Sequence, residues 1–199
     1  VRSHASDPTT TFVLNAVVGK AQRIVMQQGP LIVGVDAETL RSEWRYGQHL
    51  EYCELLGVMS HSDCVAHSDV VLVREGLKSG GEQLSSLDLS SGEVLGHSLL
   101  EGAESTSQSC VAGNTLCTAH REGVERVIRL WDAGARHIGT IQMPHIPEEA
   151  HFVMCGDRDR LACAYGDTVK VYALNDRKEQ QSIQVKSENG EPCQITAAE

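Results

Sequence analysis

The chain has 199 residues, with 27 acidic against 17 basic side chains and a formal net charge of −10. One domain is the expectation at that length, and the acidity excludes a nucleic-acid grip, which needs clustered Lys and Arg to displace counterions from phosphates. An apolar content of 41% beside 22% charged residues excludes wholesale disorder, and few aromatics (two Trp, four Tyr, two Phe) against 18 Gly suit many turns between strands of small and β-branched residues.

In chain order, short runs rich in Val, Ile, Leu and Thr alternate with Gly, Asp, Ser and Asn clusters, which predicts an all-β chain. After a tail over 1–11, strands are expected at Phe12–Val17, Arg23–Gln27, Leu31–Asp36 and Arg41–Tyr46. Residues 47–62 are left open between strand, loop and short helix, because Leu50, Cys53, Leu55 and Leu56 follow neither period cleanly. Next come Cys64–His67, Val70–Arg74, Leu84–Leu89 and Glu93–Leu99, then Ser109–Ala112, Leu116–His120, Arg126–Trp131 and His137–Gln142. The last full group is His151–Cys155, Leu161–Tyr165, Thr168–Ala173 and Gln181–Val185, followed by Gln194–Thr196.

These groups repeat. In each, an apolar strand ends at or near an acidic residue, turns, and is followed by another strand. Marking the repeats by Asp36, Asp88, Asp132 and the near-equivalent Leu174 gives spacings of 52, 44 and 42 residues. That is the period of a four-stranded antiparallel unit that cannot bury both its faces alone. A second alignment, of Cys64–Val71 with Cys110–Cys117 and with Phe152–Ala164, has about the same period. The repeats run over about 12–47, 48–100, 101–143 and 144–186, with a further one beginning at 187–196. The orphan last strand favours a portion of a larger ring over a closed ring of four units.

With Arg129-Leu130-Trp131-Asp132 and Ala164–Tyr172 in view, the chain resembles the WD-repeat β-propellers over about residues 12 to 196. Val35–Trp44 and Leu87–Leu95 resemble the related quinoprotein-type blades. One Trp-Asp pair is present, and no Gly-His pair opens a repeat. The resemblance implies an all-β propeller of about four four-stranded antiparallel blades. Trp131 and Tyr172 would pack between neighbouring blades, with Asp132 and Asp167 as structural turn residues. It also implies partner docking on the face that gathers the loops from second to third strands and those between blades. The matching positions are Arg74, Glu75 and Lys78; Arg121, Glu122 and Glu125; Tyr165 and Asp167; and the inter-blade loops at 101–107 and 144–149, with Pro144 and His145.

The residues themselves point to no catalytic centre, metal or cofactor. His61, Cys64 and His67 have metal-like spacing, but alternation along a strand turns Cys64 away from both histidines and no fourth ligand is near. None of the nine histidines adjoins a nucleophile motif, and Lys78-Ser79-Gly80-Gly81 lacks the spacing of a phosphate loop. Glu148-Glu149 and Asp157/Asp159 read as solvated loop charge.

Seven cysteines at irregular gaps, mostly inside apolar segments, favour a reducing intracellular setting, cytoplasmic before nuclear. Cys110/Cys117 and Cys155/Cys163 are expected on adjacent strands as free thiols, with a disulfide as the alternative if their Cα atoms fall within about 7 Å. No apolar run approaches the roughly 20 residues of a membrane helix, so membrane insertion is not expected. The start at Val1-Arg2 reads as a processed end or a cut from something longer. The expected role is a non-enzymatic scaffold binding other proteins within a multi-subunit complex. The alternatives are a quinoprotein- or lactonase-like enzyme acting at the ring centre, and a structural portion of a ring completed by another chain.

Overall fold

Two-residue turns and strict alternation assemble the chain one hairpin at a time. In the computed structural model, residues 12–17, 23–59, 69–100, 104–122, 125–143, 146 and 152–186 are described, and all their regular structure is β. Sheet one consists of β1 (Phe12–Val17), β2 (Arg23–Gln28), β3 (Leu31–Asp36) and β4 (Ser42–Tyr46). Sheet two has β5 (Tyr52–Met59), β6 (Val70–Gly76), β7 (Glu82–Asp88) and β8 (Val94–Leu99). Sheet three has β9 (Glu104–Ala112), β10 (Thr115–Glu122), β11 (Glu125–Trp131) and β12 (His137–Gln142). Sheet four has β13 (Phe152–Asp157), β14 (Arg160–Tyr165), β15 (Thr168–Ala173) and β16 (Glu179–Gln184). In every sheet the spatial order equals the chain order and each neighbouring pair is antiparallel.

Sheet two departs from the sequence expectation. Its first strand is Tyr52–Met59, from the stretch left open, whereas Cys64–His67 lies outside the described residues. The reason is a bulge: the pairing of β5 with β6 slips between Leu55 and Gly57, so Cys53 and Leu55 face sheet one before it but Val58 does so after it, with Leu56 and Met59 facing sheet three. An inserted residue reverses the alternation, so no single period fits the strand. The proposed last strand, Gln194–Thr196, also lies outside the described residues.

The core is three layers, one between each successive pair of sheets. Val25, Ile32 and Trp44 meet Cys53, Leu55, Val71, Val73, Leu87 and Leu89 between sheets one and two. Met59, Val70, Leu72, Leu84 and Leu100 meet Leu116, Trp131 and Ala135 between sheets two and three. Cys117, Ala119, Ile128, Leu130 and Ile141 meet Phe152, Met154, Leu161, Cys163 and Tyr172 between sheets three and four. Strand β6 supplies two layers at once, since Val71 and Val73 point one way and Val70 and Leu72 the other, all four essentially buried. Burying each such side chain is worth roughly 1.5–3 kcal/mol, and a sheet standing alone would leave half of them wet.

Polar stitches fix the order of the layers. The Gln27 amide on β2 donates to the Cys53 carbonyl (3.2 Å) and accepts from the Leu55 N–H (3.0 Å), holding both polar groups of its amide on the edge of β5. Gln108 on β9 accepts the Met154 N–H (3.1 Å) in the same way, and the Ser109 hydroxyl donates to the Leu56 carbonyl (3.3 Å). The outer strands are wet by contrast: all six residues of β16 are exposed.

Candidate functional site

Antiparallel order sorts the connections onto two faces. One face carries the turns from third to fourth strands and from first to second strands; the other carries the loops from second to third strands and the crossings between sheets. We refer to them as the turn face and the loop face.

The turn face is built on one device. Asp36 Oδ1 accepts the backbone N–H groups of Glu38 and Thr39 (3.2 and 2.7 Å) and the Thr39 hydroxyl. Asp88 Oδ1 does the same for Ser90 and Ser91 (2.9 and 2.8 Å), and Asp132 Oδ1 for Gly134 and Arg136 (both 2.9 Å). In each case the acid caps the turn in which it starts, satisfying backbone donors that reversal of the chain would strand. In sheet four the matching backbone bond, from the Ala173 N–H to the Lys178 carbonyl, marks Ala173 as the equivalent residue, one before Leu174. There Asp176 takes over by accepting the Lys178 N–H (3.1 Å). All four sheets also carry a register shift at the same place, between Gly34 and Val35, Ser86 and Leu87, Leu130 and Trp131, and Val171 and Tyr172.

The outer strands of sheets one, two and three then lean on the next sheet's turn. Trp44 donates its indole N–H to the Leu89 carbonyl (2.9 Å) and lies against Gly92, and a side chain at Gly34 beneath it would collide with the ring. The matching places hold Gly96, where a Cβ would strike the Gly134 carbonyl, and Gly139, where it would strike the Arg177 guanidinium. Trp131 is buried between sheets two and three, its indole donating to Thr118 Oγ1 (2.7 Å), which lies 2.6 Å from His120 Nε2. Tyr172 is buried between sheets three and four, and burial pushes its phenol well above the usual range. Asp167 lies in the β14–β15 turn, where its carboxylate accepts the Thr168 hydroxyl (3.0 Å).

On the loop face the expected docking residues divide into buried and outward-facing groups. Glu75 is fully buried: it accepts the Tyr46 hydroxyl (2.7 Å) from sheet one and the Gln83 amide (2.6 Å) from β7. Burial, then the Glu75 hydrogen bond, drives the Tyr46 phenol well above its usual range, and burial pushes the Cys53 thiol beside it up to about 12. Arg74, on the other side of β6, lies between Glu54 and Glu82 and over the Tyr52 ring, so its charge is spent within the sheet. Lys78 stands exposed at the tip of the β6–β7 loop, and neither it nor exposed Glu125 makes an ion pair among the described residues. Arg121 is half-buried near the end of β10, and Glu122 ends that strand. Tyr165 ends β14, its phenol raised by burial, near the Lys170–Glu179 ion pair (2.5 Å). His145, Pro144 and most of the inter-blade loops at 101–107 and 144–149 lie outside the described residues, as do His61, Cys64 and His67.

Two groups have no counterpart among the sequence expectations, and a third, Glu75, is expected exposed at the docking face but is buried. Arg126 stacks over the Phe152 ring (4.5 Å), a cation–π contact between sheets three and four. Thr118 and His120 alternate on β10 toward Trp131, a spacing visible in the sequence but meaningful only once Trp131 is placed opposite. The burial of Glu75 has one local signal, its place on the face of β6 that Val71 and Val73 share. Of the paired cysteines, Cys110 stands opposite Cys117, whereas Cys155 is out of step with Cys163; all four are free thiols. Among the described residues no group of three or more His, Cys, Asp and Glu is placed to hold a metal ion.

No protein-family profile matches the sequence, and no curated protein matches it. The fold does have solved counterparts. The WD40 domain of Pan2 from Neurospora crassa is similar at a TM-score of 0.57 and 12% identity, over 88% of this chain and 52% of that one. The WD40 domain of SCAP from fission yeast gives 0.57 and 11% over 94% and 43%. KlAtg21, solved in complex with the coiled-coil of AgAtg16, gives 0.60 and 12% over 88% and 57%. The chain thus spans about half the length of the solved propellers it matches. Its four four-stranded sheets stand as successive blades, and its fold is that of the WD40 β-propellers.

Proposed function

We propose that the chain is a non-enzymatic scaffold that docks partner proteins on its loop face, as blades of a larger ring within an intracellular, multi-subunit assembly. The observation that carries this reading is the contrast between the faces. The turn face repeats one hydrogen-bonded turn in every blade, capped by its opening aspartate in three of the four. The described loop-face connections instead range from the two-residue Gly29-Pro30 and Gly166-Asp167 turns to the five-residue loop over 77–81 with its exposed Lys78. A surface released from a common structural demand is where a scaffold can differentiate its contacts. The fold supports the reading: one similar WD40 protein, KlAtg21, was solved bound to a coiled-coil.

The test uses the full chain carrying Lys78→Glu with Glu125→Lys, two exposed residues outside the buried networks. Surface changes of this kind alter stability by no more than about 0.5 kcal/mol, whereas reversed charges at an interface slow association and weaken binding. Cross-linking in cells followed by mass spectrometry should lose the neighbours of the wild-type protein with unchanged melting temperature. An undiminished set of neighbours removes the loop face as the docking surface. Turnover of a substrate by the purified chain would favour an enzyme instead.

A further inference from the structure

On the turn face, a cavity of about 450 Å³ opens between sheets three and four. Two arginines line it, Arg158 from the β13–β14 turn and Arg177 from the β15–β16 turn, with Asn114 and Asn175 beside them and Ile138 and Leu174 as its apolar part. Its acid, Asp159, is highly exposed and stands 4.0 Å from Arg160, a cation of its own outside the cavity.

Arg158 occupies a backbone position that goes to glycine in the other described two-residue turns, and Arg177 a left-handed position that each blade fills with a different residue. Among the described residues, four two-residue hairpin turns each place their first residue at positive φ, and three of them use Gly29, Gly113 and Gly166 (58°, 56° and 57°). The fourth is Arg158, at 39°. Arg177, at 59°, stands where the turns of sheets one, two and three have Leu40, Gly92 and Ala135, all at positive φ. L-residues with a side chain are strained there, so the Arg158 turn departs from the glycine its counterparts use, while Arg177 keeps the left-handed conformation of its repeat and brings a guanidinium to it. The two turns are tied together by the hydrogen bond from the Leu174 N–H to the Asp159 carbonyl (2.9 Å). A side chain at Gly113 would strike the Arg158 carbonyl, so the neighbouring blade also holds that turn in place.

Arg177 is fixed further by donating from its terminal nitrogen to the Ile138 carbonyl (2.7 Å) and lying across Gly139. One of its five donors is thereby used and its plane is set, which leaves a rigid fork beside the cavity. Arg158 makes no ion pair among the described residues. In a chain of net charge −10, two cations without carboxylate partners converge on one recess.

We propose that this pocket is a docking site for an acidic peptide segment of a partner protein. One carboxylate side chain would lie between Arg158 and Arg177, with an adjacent apolar side chain on Ile138 and Leu174. The forked guanidinium suits a carboxylate, the asparagine amides suit peptide groups, and the apolar portion favours a peptide over a bare anion.

The probe is a short fluorescein-labelled peptide alternating glutamate and leucine, followed by fluorescence polarisation on the full chain, beside the same peptide with glutamine for glutamate. The glutamate peptide should bind about tenfold more tightly, with affinity falling as salt rises. Arg158→Gly and Arg177→Gly should each weaken it about tenfold without lowering the melting temperature, because glycine relieves the backbone at both positions. Arg→Lys at either position should fall between, since the charge stays and the fork is lost. The Lys78→Glu, Glu125→Lys chain should bind the peptide as wild type does, which separates this site from the loop face. Equal binding of the glutamine peptide, or undiminished binding by the double glycine variant, overturns the proposal. So does arginine-dependent binding to phosphatidylserine vesicles with none to the peptide.

Discussion

The turn face and the loop face come from the same four repeats, yet they treat their sequences oppositely. On the turn face, Asp36, Asp88 and Asp132 cap equivalent turns, Leu40, Gly92, Ala135 and Arg177 all take the left-handed conformation, and the preceding register shift recurs in every sheet. Reversing a twisted pair just past a bulge leaves few backbone solutions, and the side chains follow. On the loop face sheets one and four share a two-residue turn opened by glycine, at Gly29 and Gly166, but the other described connections differ. A two-residue Gly29-Pro30 turn stands beside the longer Leu77–Gly81 loop, and a buried carboxylate network occurs at sheet two. The difference teaches that uniformity in a repeat marks structural demand, and that departure from it, whether on the variable face or at Arg158 on the uniform one, marks where to look for recognition.

The largest expected effect tests whether the turn face is structural. Trp44→Ala should cost about 3–5 kcal/mol in chemical denaturation, because it empties a buried wedge between sheets one and two and strands the Leu89 carbonyl. A loss under about 1 kcal/mol would mean the blades do not depend on that contact. Next, Glu75→Ala should cost about 1–3 kcal/mol, because the Tyr46 hydroxyl and the Gln83 amide lose their shared partner. An unchanged midpoint would show that the loop-face network is dispensable to folding.

A smaller effect checks the repeat itself. Asp88→Ala and Asp132→Ala should each cost about 1 kcal/mol through lost turn hydrogen bonds, and alike within about 0.5 kcal/mol. Widely different losses would break the claim of one device. The smallest effect is a pH dependence at Asp36, whose carboxyl is held below its ordinary value of 3.8, first by the Thr39 N–H and then by the Thr39 hydroxyl. A folded-state value below the unfolded one stabilises above pH 3.8, and that contribution is lost as the pH falls through the folded value. The stability gap between wild type and Asp36→Asn should therefore be present at neutral pH and close below 3.8. A gap that widens on acidification would contradict the capping role.

Much of the fold was legible because its signals are local. Alternation and turn-forming residues placed fifteen of the sixteen strands at or near their observed positions. Tyr52–Met59 was illegible because its bulge, visible only in pairing with β6, inverts the alternation in mid-strand. Leu174 reads as the fourth marker because it ends an apolar run; the hydrogen bond that identifies Ala173 instead is a property of the closed turn. At the site, Lys78 and Glu125 could be assigned to the loop face from strand order alone. That Arg74 is spent within its own sheet depended on Glu54, a residue twenty positions away.

By itself the sequence determined the repeat, the four-stranded unit and the alternation that makes each sheet apolar on both sides, since all of these follow from the two-residue period and from turn chemistry within a few residues. Tertiary structure alone decided which blade covers which. It seated Trp44 on the next sheet's turn, set Thr118 and His120 against Trp131, buried Glu75, and brought Arg158 and Arg177 to one cavity from different turns. Those relations join side chains far apart in the chain, and only packing of one sheet on the next brings them within reach.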